Sequence, residues 1–388
     1  MRKEEVAYVP ADAPIYFDHA ATTPVDPRVA EVVMRHMIDE FGNAGSRTHE
    51  YGARAAAASE SAREQVAAVV GVEPAEVIFT SGATESDNIS ILGLLNHGVE
   101  TNRRHIVSTT IEHKAVLEPL EHLADKGFEV DLVGPEPTGA VNPDHVLAAV
   151  RDDTLLVTVM HVNNETGIRQ PIEAIGDGLL DPGVFFHSDA AQGFGKELAP
   201  LRHQRLDLIS VSGHKLYAPK GIGALIVRRR ERKRPPLSPL LFGGGQERGL
   251  RPGTLPVHLV VGLGLASQLA LDEGAERRHR CESTRKQVLE ALTAAGGVIN
   301  GDPTQSLPHI INASIPGLDS EAVILALRDI VSISNGSACT SASYEPSHVL
   351  TAMGLNDETR RGAVRLSWGH ESTFPDPEHI DSRLNRLH

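Results

Sequence analysis

The sequence predicts an α/β protein: a large domain with a mostly parallel sheet between helices, followed by a smaller α+β domain. Three observations carry this. Short, continuously apolar runs recur through the first two thirds of the chain, the pattern of strands buried on both faces of a sheet. Helical patterns lie between several of them, the alternation of a doubly wound fold. Beyond about residue 255 the composition shifts to a long Ala-, Leu-, Glu- and Arg-rich stretch, then to short strand-like pieces.

Taken in order, residues 77–80, 105–108, 155–160, 184–187, 206–211 and 223–227 read as strands, each rich in Val, Ile, Leu or Phe. Residues 85–95, 114–126 and 144–151 carry helical patterns between them. Residues 260–294 read as one long helix or two, and 310–315 and 330–334 as short strands around a helix at 321–328. In sheets of this kind ligands bind outside the carboxyl ends of the strands, so chemistry is sought there.

Composition bounds the function. The chain has 388 residues, 40% hydrophobic and 23% charged, enough for two or three domains with a real core. Its formal charge of −14 argues against direct nucleic-acid binding, which wants a basic face. Two cysteines exclude a disulfide framework and a Cys-rich metal cage made by this chain alone, and the histidines show no metal-ligand spacing. The N-terminus has no apolar core of signal-peptide length, and the longest apolar stretch, 257–271, is too short to span a bilayer; a cytoplasmic location is expected. The basic run 228–234 reads as a surface connection.

Four places could carry chemistry. Residues 80–85, Thr-Ser-Gly-Ala-Thr-Glu, follow a strand and open a helix, which makes either an anion site or an ordinary N-cap. Asp189 ends an apolar strand, where a carboxylate is costly unless paired with a cation or used as a cap. Lys215 follows the 206–211 strand in Ser212-Gly213-His214-Lys215; burial and nearby cations can free such an amine as a nucleophile. Cys339 sits in a ten-residue run of small and polar residues, 334–343, that reads as a mobile loop, against the usual habit of free Cys to be buried. Cys281, in a charged helical stretch, reads as structural.

These residues, in this order, resemble the pyridoxal-phosphate enzymes of fold type I, and within the class-V aminotransferases the NifS- and IscS-like cysteine desulfurases. The matching segments are 16–24, 79–88, 112–114, 161–165, 212–215, 251–254 and 336–341, together spanning nearly the whole chain. The resemblance implies a cofactor-binding domain over 16–258 and a smaller domain from 1–15 and 259–388 that carries the Cys339 loop. It implies that Lys215 bonds the cofactor and later acts as base and acid. Asp189 would pair with the ring nitrogen, His113 would stack on the ring and shuttle a proton, and Gln192 would bond the ring hydroxyl. Ala83, Thr84, Ser212 and His214 would hold the phosphate, with Thr254 reaching it from the second subunit of a homodimer. Asn43, Asn164 and Arg365 would bind the substrate, Arg365 gripping its carboxylate.

The activity so implied removes sulfur from L-cysteine, leaving alanine and a persulfide on Cys339 for an acceptor protein in iron–sulfur assembly or nucleic-acid sulfur modification. The Ser/Thr-rich segment around Cys339 resembles the first class of the family rather than the second, whose Arg-x-Gly-His-His-Cys pattern is absent. The sequence runs nineteen residues past Gly369, where housekeeping relatives carry a longer tail that helps dock the iron–sulfur scaffold, so the resemblance leaves a dedicated sulfur pathway open beside iron–sulfur assembly. Two other readings of the residues are a selenocysteine lyase or another carbon–sulfur lyase, and a cofactor-bound scaffold without activity.

Overall fold

The computed structural model describes residues 13–336, 347–384 and 386–387. Its strands are β1 Ile15–Tyr16, β2 Val77–Thr80, β3 His105–Thr109, β4 Glu129–Val133, β5 Thr154–Thr158, β6 Phe185–Asp189, β7 Leu208–Ser212, β8 Gly223–Val227, β9 Val298–Ile299, β10 Ile310–Ser314, β11 Val331–Ser332 and β12 Ala363–Ser367. Seven form one sheet in the order β2-β8-β7-β6-β5-β3-β4. Only β8 runs against its neighbours, so β2 and β7, on either side of it, point the same way. The remaining pairs are parallel, as the unbroken apolar runs predict. The carboxyl ends of β2, β3, β5, β6 and β7 therefore share one edge.

Every residue of β2, β3, β5, β6, β7 and β8 is buried. β4 went unpredicted for a physical reason: it is the sheet edge, half open to solvent, and its Glu129 and Asp131 break the apolar run. Two helices near the N-terminus were also unread. Asp26 caps Pro27–Ile38 by accepting the Arg28 N–H at 2.9 Å. Glu50–Val70 starts behind His49 and ends at Gly71 in the left-handed conformation, φ 66°.

The stretch read as one helix or two is a single helix, Val257–Ala294. Its first half, with Val260, Leu263 and Ala266, belongs to the core of the large sheet. Its second half, with Cys281, Val288 and Leu292, belongs to a separate core around β10 and β12. It lies tight against Glu50–Val70: a Cβ on Gly264 would come within 2.6 Å of the Ala62 Cα, so only glycine permits this approach.

The small sheet has the order β12-β10-β9, all antiparallel. β1 pairs in parallel with β11, bringing the first described residues back to the last third of the chain. Phe17 is buried there against Trp368, ring centroids 5.7 Å apart.

The basic run 228–234 meets its expectation in part: residues 229 and 231–234 are exposed, while Arg228 and Arg230 turn inward. Arg228 is buried and donates to the carbonyls of Leu201, 3.2 Å, and His203, 3.1 Å, at the end of a short helical turn that lacks its own donors. Arg230 pairs with the buried Asp207 at 2.7 Å and lies over the Phe185 ring. A basic run in sequence is here partly an internal brace. Among the described residues no helix is long and apolar enough to cross a membrane.

Candidate functional site

The strand ends of the large sheet open into a cavity of about 480 Å³, closed on its far side by Arg365 from β12. Each corner is built by a different local device.

One corner suits an anion. After β2 the chain turns at Gly82 and enters the helix Ala83–Leu92, whose first N–H groups have no side-chain cap. Ala83, Thr84, Ser212 and His214 all line this corner. β8 can lie against the turn because position 223 is glycine: a Cβ there would meet the Gly82 Cα at 2.6 Å. His214 bonds Thr22 Oγ1 through Nδ1 at 3.1 Å, and burial first, then the Lys215 and Lys220 charges, pushes its pKa down to about 4.

The floor holds Asp189, at the last position of β6. One of its oxygens accepts the Ala191 N–H at 2.9 Å; burial raises its pKa while His113 and Lys215 pull it back. Lys215, in the short turn Gly213–Lys215 after β7, donates its Nζ to the carbonyls of Ala20 and Ala21, the latter at 2.7 Å. Gln192 donates Nε2 to the same Ala20 carbonyl at 2.8 Å, and its Oε1 is buried with no partner. His113 caps the helix Lys114–Ala124, its Nδ1 accepting the Ala115 N–H at 3.1 Å. Burial lowers its pKa, and with Nδ1 accepting, the neutral ring carries its hydrogen on Nε2.

The wall is made by Arg365 and Asn164. The Arg365 guanidinium is almost fully buried; Nη2 meets Asp18 Oδ1 at 2.6 Å and Nη1 donates to the Asn164 carbonyl at 3.0 Å. Beside it Glu165, its pKa raised by burial, accepts the Ser347 hydroxyl at 2.5 Å.

The cavity thus brings together Ala83, Thr84, His113, Asn164, Asp189, Gln192, Ser212, His214, Lys215 and Arg365. It does not bring in Asn43 or Thr254. Asn43 is exposed and its Oδ1 accepts the Gly45 N–H at 2.8 Å, so it does not line the cavity of its own chain. Thr254 is exposed, away from the cavity of its own chain. Cys339 lies outside the described residues. Cys281 is buried, with its thiol pushed up to about 11 by desolvation, which suits a structural residue.

Sequence reasoning gave no role to Asp18, Asp87 or Lys220. Asp87 lines the cavity floor fully buried, its Oδ1 3.5 Å from His187 Nε2, and burial raises its pKa well above the usual range. It sits inside one of the segments that carry the resemblance, but only its burial beside Asp189 distinguishes it from a helix-surface carboxylate.

The donor set fits pyridoxal phosphate on the structure's own terms. An uncapped helix start fits the phosphate, and a buried carboxylate fits a ring nitrogen. An orphaned amide oxygen fits a ring hydroxyl, and a lysine in the same cavity fits an aldehyde.

Comparison with known proteins agrees. The family model for class-V aminotransferases matches residues 15–379. The cysteine desulfurase IscS of Vibrio cholerae is 47% identical over 363 residues, covering 93% of this chain and 89% of the relative. IscS of Escherichia coli is 46% identical over 371 residues, 95% of this chain and 90% of the relative. Among solved structures, DndA from Streptomyces lividans superposes with a TM-score of 0.81 at 49% identity, covering 92% of this chain and 98% of that one. A structure titled SspA in complex with cysteine gives 0.80 at 36% identity, covering 92% and 100%. The cavity, its donors and these likenesses lead to one conclusion: the chain belongs to the class-V aminotransferase family.

Proposed function

We propose that this protein is a pyridoxal-phosphate-dependent cysteine desulfurase, converting L-cysteine to L-alanine with transfer of sulfur to Cys339. The observation that carries this is the convergence of Lys215, Asp189, His113 and Arg365 on one cavity, in a chain 46–47% identical to proteins named cysteine desulfurase.

When bound, the cofactor supplies an electron sink for charge developing on the substrate carbon. The chain's residues do the rest. Asp189 keeps a proton on the ring nitrogen. Arg365 and Asn164 orient the amino acid by its carboxylate. Lys215 Nζ takes and returns the proton on the substrate carbon, and His113 exchanges a proton at Nε2. The Cys339 thiolate attacks the substrate sulfur; the carbon–sulfur bond breaks, its electron pair leaves with carbon and is protonated, and alanine and a Cys339 persulfide result. An acceptor protein then takes the sulfur, for iron–sulfur assembly or for sulfur modification of nucleic acid.

The two-domain division, with the small domain carrying the Cys339 segment, belongs to this reading, as does a homodimer. An apolar surface suits a second copy: Met34, Met37, Ile38 and Phe41 are more than half exposed, and Phe242 is 89% exposed on the segment that leads to Thr254. In that arrangement Thr254 reaches the neighbouring phosphate.

The test is alanine formed from L-cysteine with a trapped persulfide located on the chain. Cys339→Ser keeps the bound-cofactor absorbance and loses alanine production; Lys215→Ala loses both. Full alanine production by Cys339→Ser removes Cys339 as the sulfur acceptor.

A further inference from the structure

We propose that Asp18 is a positioning residue that sets how tightly Arg365 grips an amino-acid carboxylate, loosening the grip so that product can leave. This rests on the reading of the cavity as an amino-acid site.

The geometry is specific. Asp18 Oδ1 accepts from Arg365 Nη2 at 2.6 Å and from Ser334 Oγ at 3.1 Å, so one carboxylate oxygen serves both. Ser334 and Arg365 are also tied through their backbones, Arg365 N–H to Ser334 O at 2.6 Å and Ser334 N–H to Arg365 O at 3.3 Å. Asp18 is itself seated: it bridges Ser367, two residues beyond Arg365, and its carbonyl accepts the Tyr16 hydroxyl at 3.0 Å. With Nη1 on the Asn164 carbonyl, the guanidinium keeps a buried Nε without a partner. An incoming carboxylate therefore meets a cation whose orientation is already set and whose charge is already shared.

Two physical demands meet here. A guanidinium this buried is costly without a counter-charge, and Asp18 supplies one. The carboxylate of the amino acid does not change in the reaction: cysteine and alanine carry the same group. Gripping it harder is uniform binding, which lowers KM without lowering the barrier and holds the product as firmly as the substrate. A carboxylate that half-neutralises the anchor keeps its aim and weakens its hold. Ser334, by engaging the same oxygen, trims how much of that charge Arg365 feels.

The test uses the holoenzyme and reads the bound cofactor's absorbance as L-alanine is titrated in. Asp18→Asn keeps an acceptor for Arg365 but removes the charge, so alanine binds about fivefold more tightly. Ser334→Ala leaves more of the Asp18 charge for Arg365, so alanine binds about twofold more weakly. Cysteamine, which has the amine and the thiol but no carboxylate, changes by less than about twofold in either variant. Unchanged or weaker alanine binding by Asp18→Asn, or a cysteamine shift as large as that of alanine, overturns the proposal. Should Asp18→Asn fail to fold or to load cofactor, Ser334→Ala decides: unchanged or tighter alanine binding overturns it. A wild-type holoenzyme whose absorbance ignores both alanine and cysteine refutes instead the amino-acid site itself.

Discussion

The floor and the wall of the cavity are built on opposite plans. The floor takes its groups from the ends of buried parallel strands in one sheet, so the backbone places Asp189, Lys215 and the turn at Ala83. The wall is assembled from residues distant in sequence: the side chains of Asp18, Ser334 and Arg365 and the backbone carbonyl of Asn164 meet through an ion pair and hydrogen bonds. The floor compensates its buried groups only in part: burial still raises Asp189 and Asp87 and lowers His113, though His113 and Lys215 pull Asp189 back. The wall compensates its one buried cation at once. A rigid, electrostatically strained floor suits chemistry on a fixed ring, and a balanced wall suits ligands that must come and go.

Substitutions can break this division. The largest effect falls on the floor: Asp189→Asn, which removes the buried carboxylate proposed to pair with the ring nitrogen, lowers kcat by about two to three orders of magnitude with KM for cysteine little changed. On the wall, Arg365→Lys keeps the charge but loses the fork, and raises KM for cysteine by about ten- to fiftyfold with a smaller change in kcat. If these two variants exchanged signatures, the distinction between floor and wall would fall.

A third effect comes from His113. Its pKa lies below the usual 6.5, so the ring stays neutral as pH drops past that value and protonates only further down. The acid limb of kcat/KM therefore lies below pH 6.5, falling about tenfold per pH unit, and disappears in His113→Gln. An acid limb above 6.5 would place another group in control. The smallest effect is Gln192→Ala, which loses the buried, unpartnered amide oxygen proposed to bond the ring hydroxyl and weakens cofactor affinity by about fivefold, seen by equilibrium dialysis.

The same contrast explains what the sequence made legible. The floor could be read because each of its groups follows an apolar run and the sheet rule says where to look; Lys215 and Asp189 stood out as charges where charges are expensive. The wall could not be read this way. Nothing near Asp18 announces a partner at residue 365, since periodicity reports the face of an element and not its distant neighbours. Arg365 was anticipated only through family resemblance. β4 was lost because an edge strand mixes charge into its pattern, and the inward turn of Arg228 within the mostly exposed 228–234 run was not legible because composition cannot tell a guanidinium in water from one that tops a helix end.

The antiparallel placement of β8 also bears on when the protein can work. β2, which leads into the anion corner, has no sheet neighbour until β8 has been made, because β8 alone lies between it and β7. Chains fold largely in the order of their synthesis, and such distant pairing is slow. The anion corner therefore closes only after the ribosome has passed Val227, and Arg365, the proposed carboxylate anchor, arrives later still. Cofactor capture is a late event in the life of the nascent chain, and amino-acid recognition the last part of the site to mature.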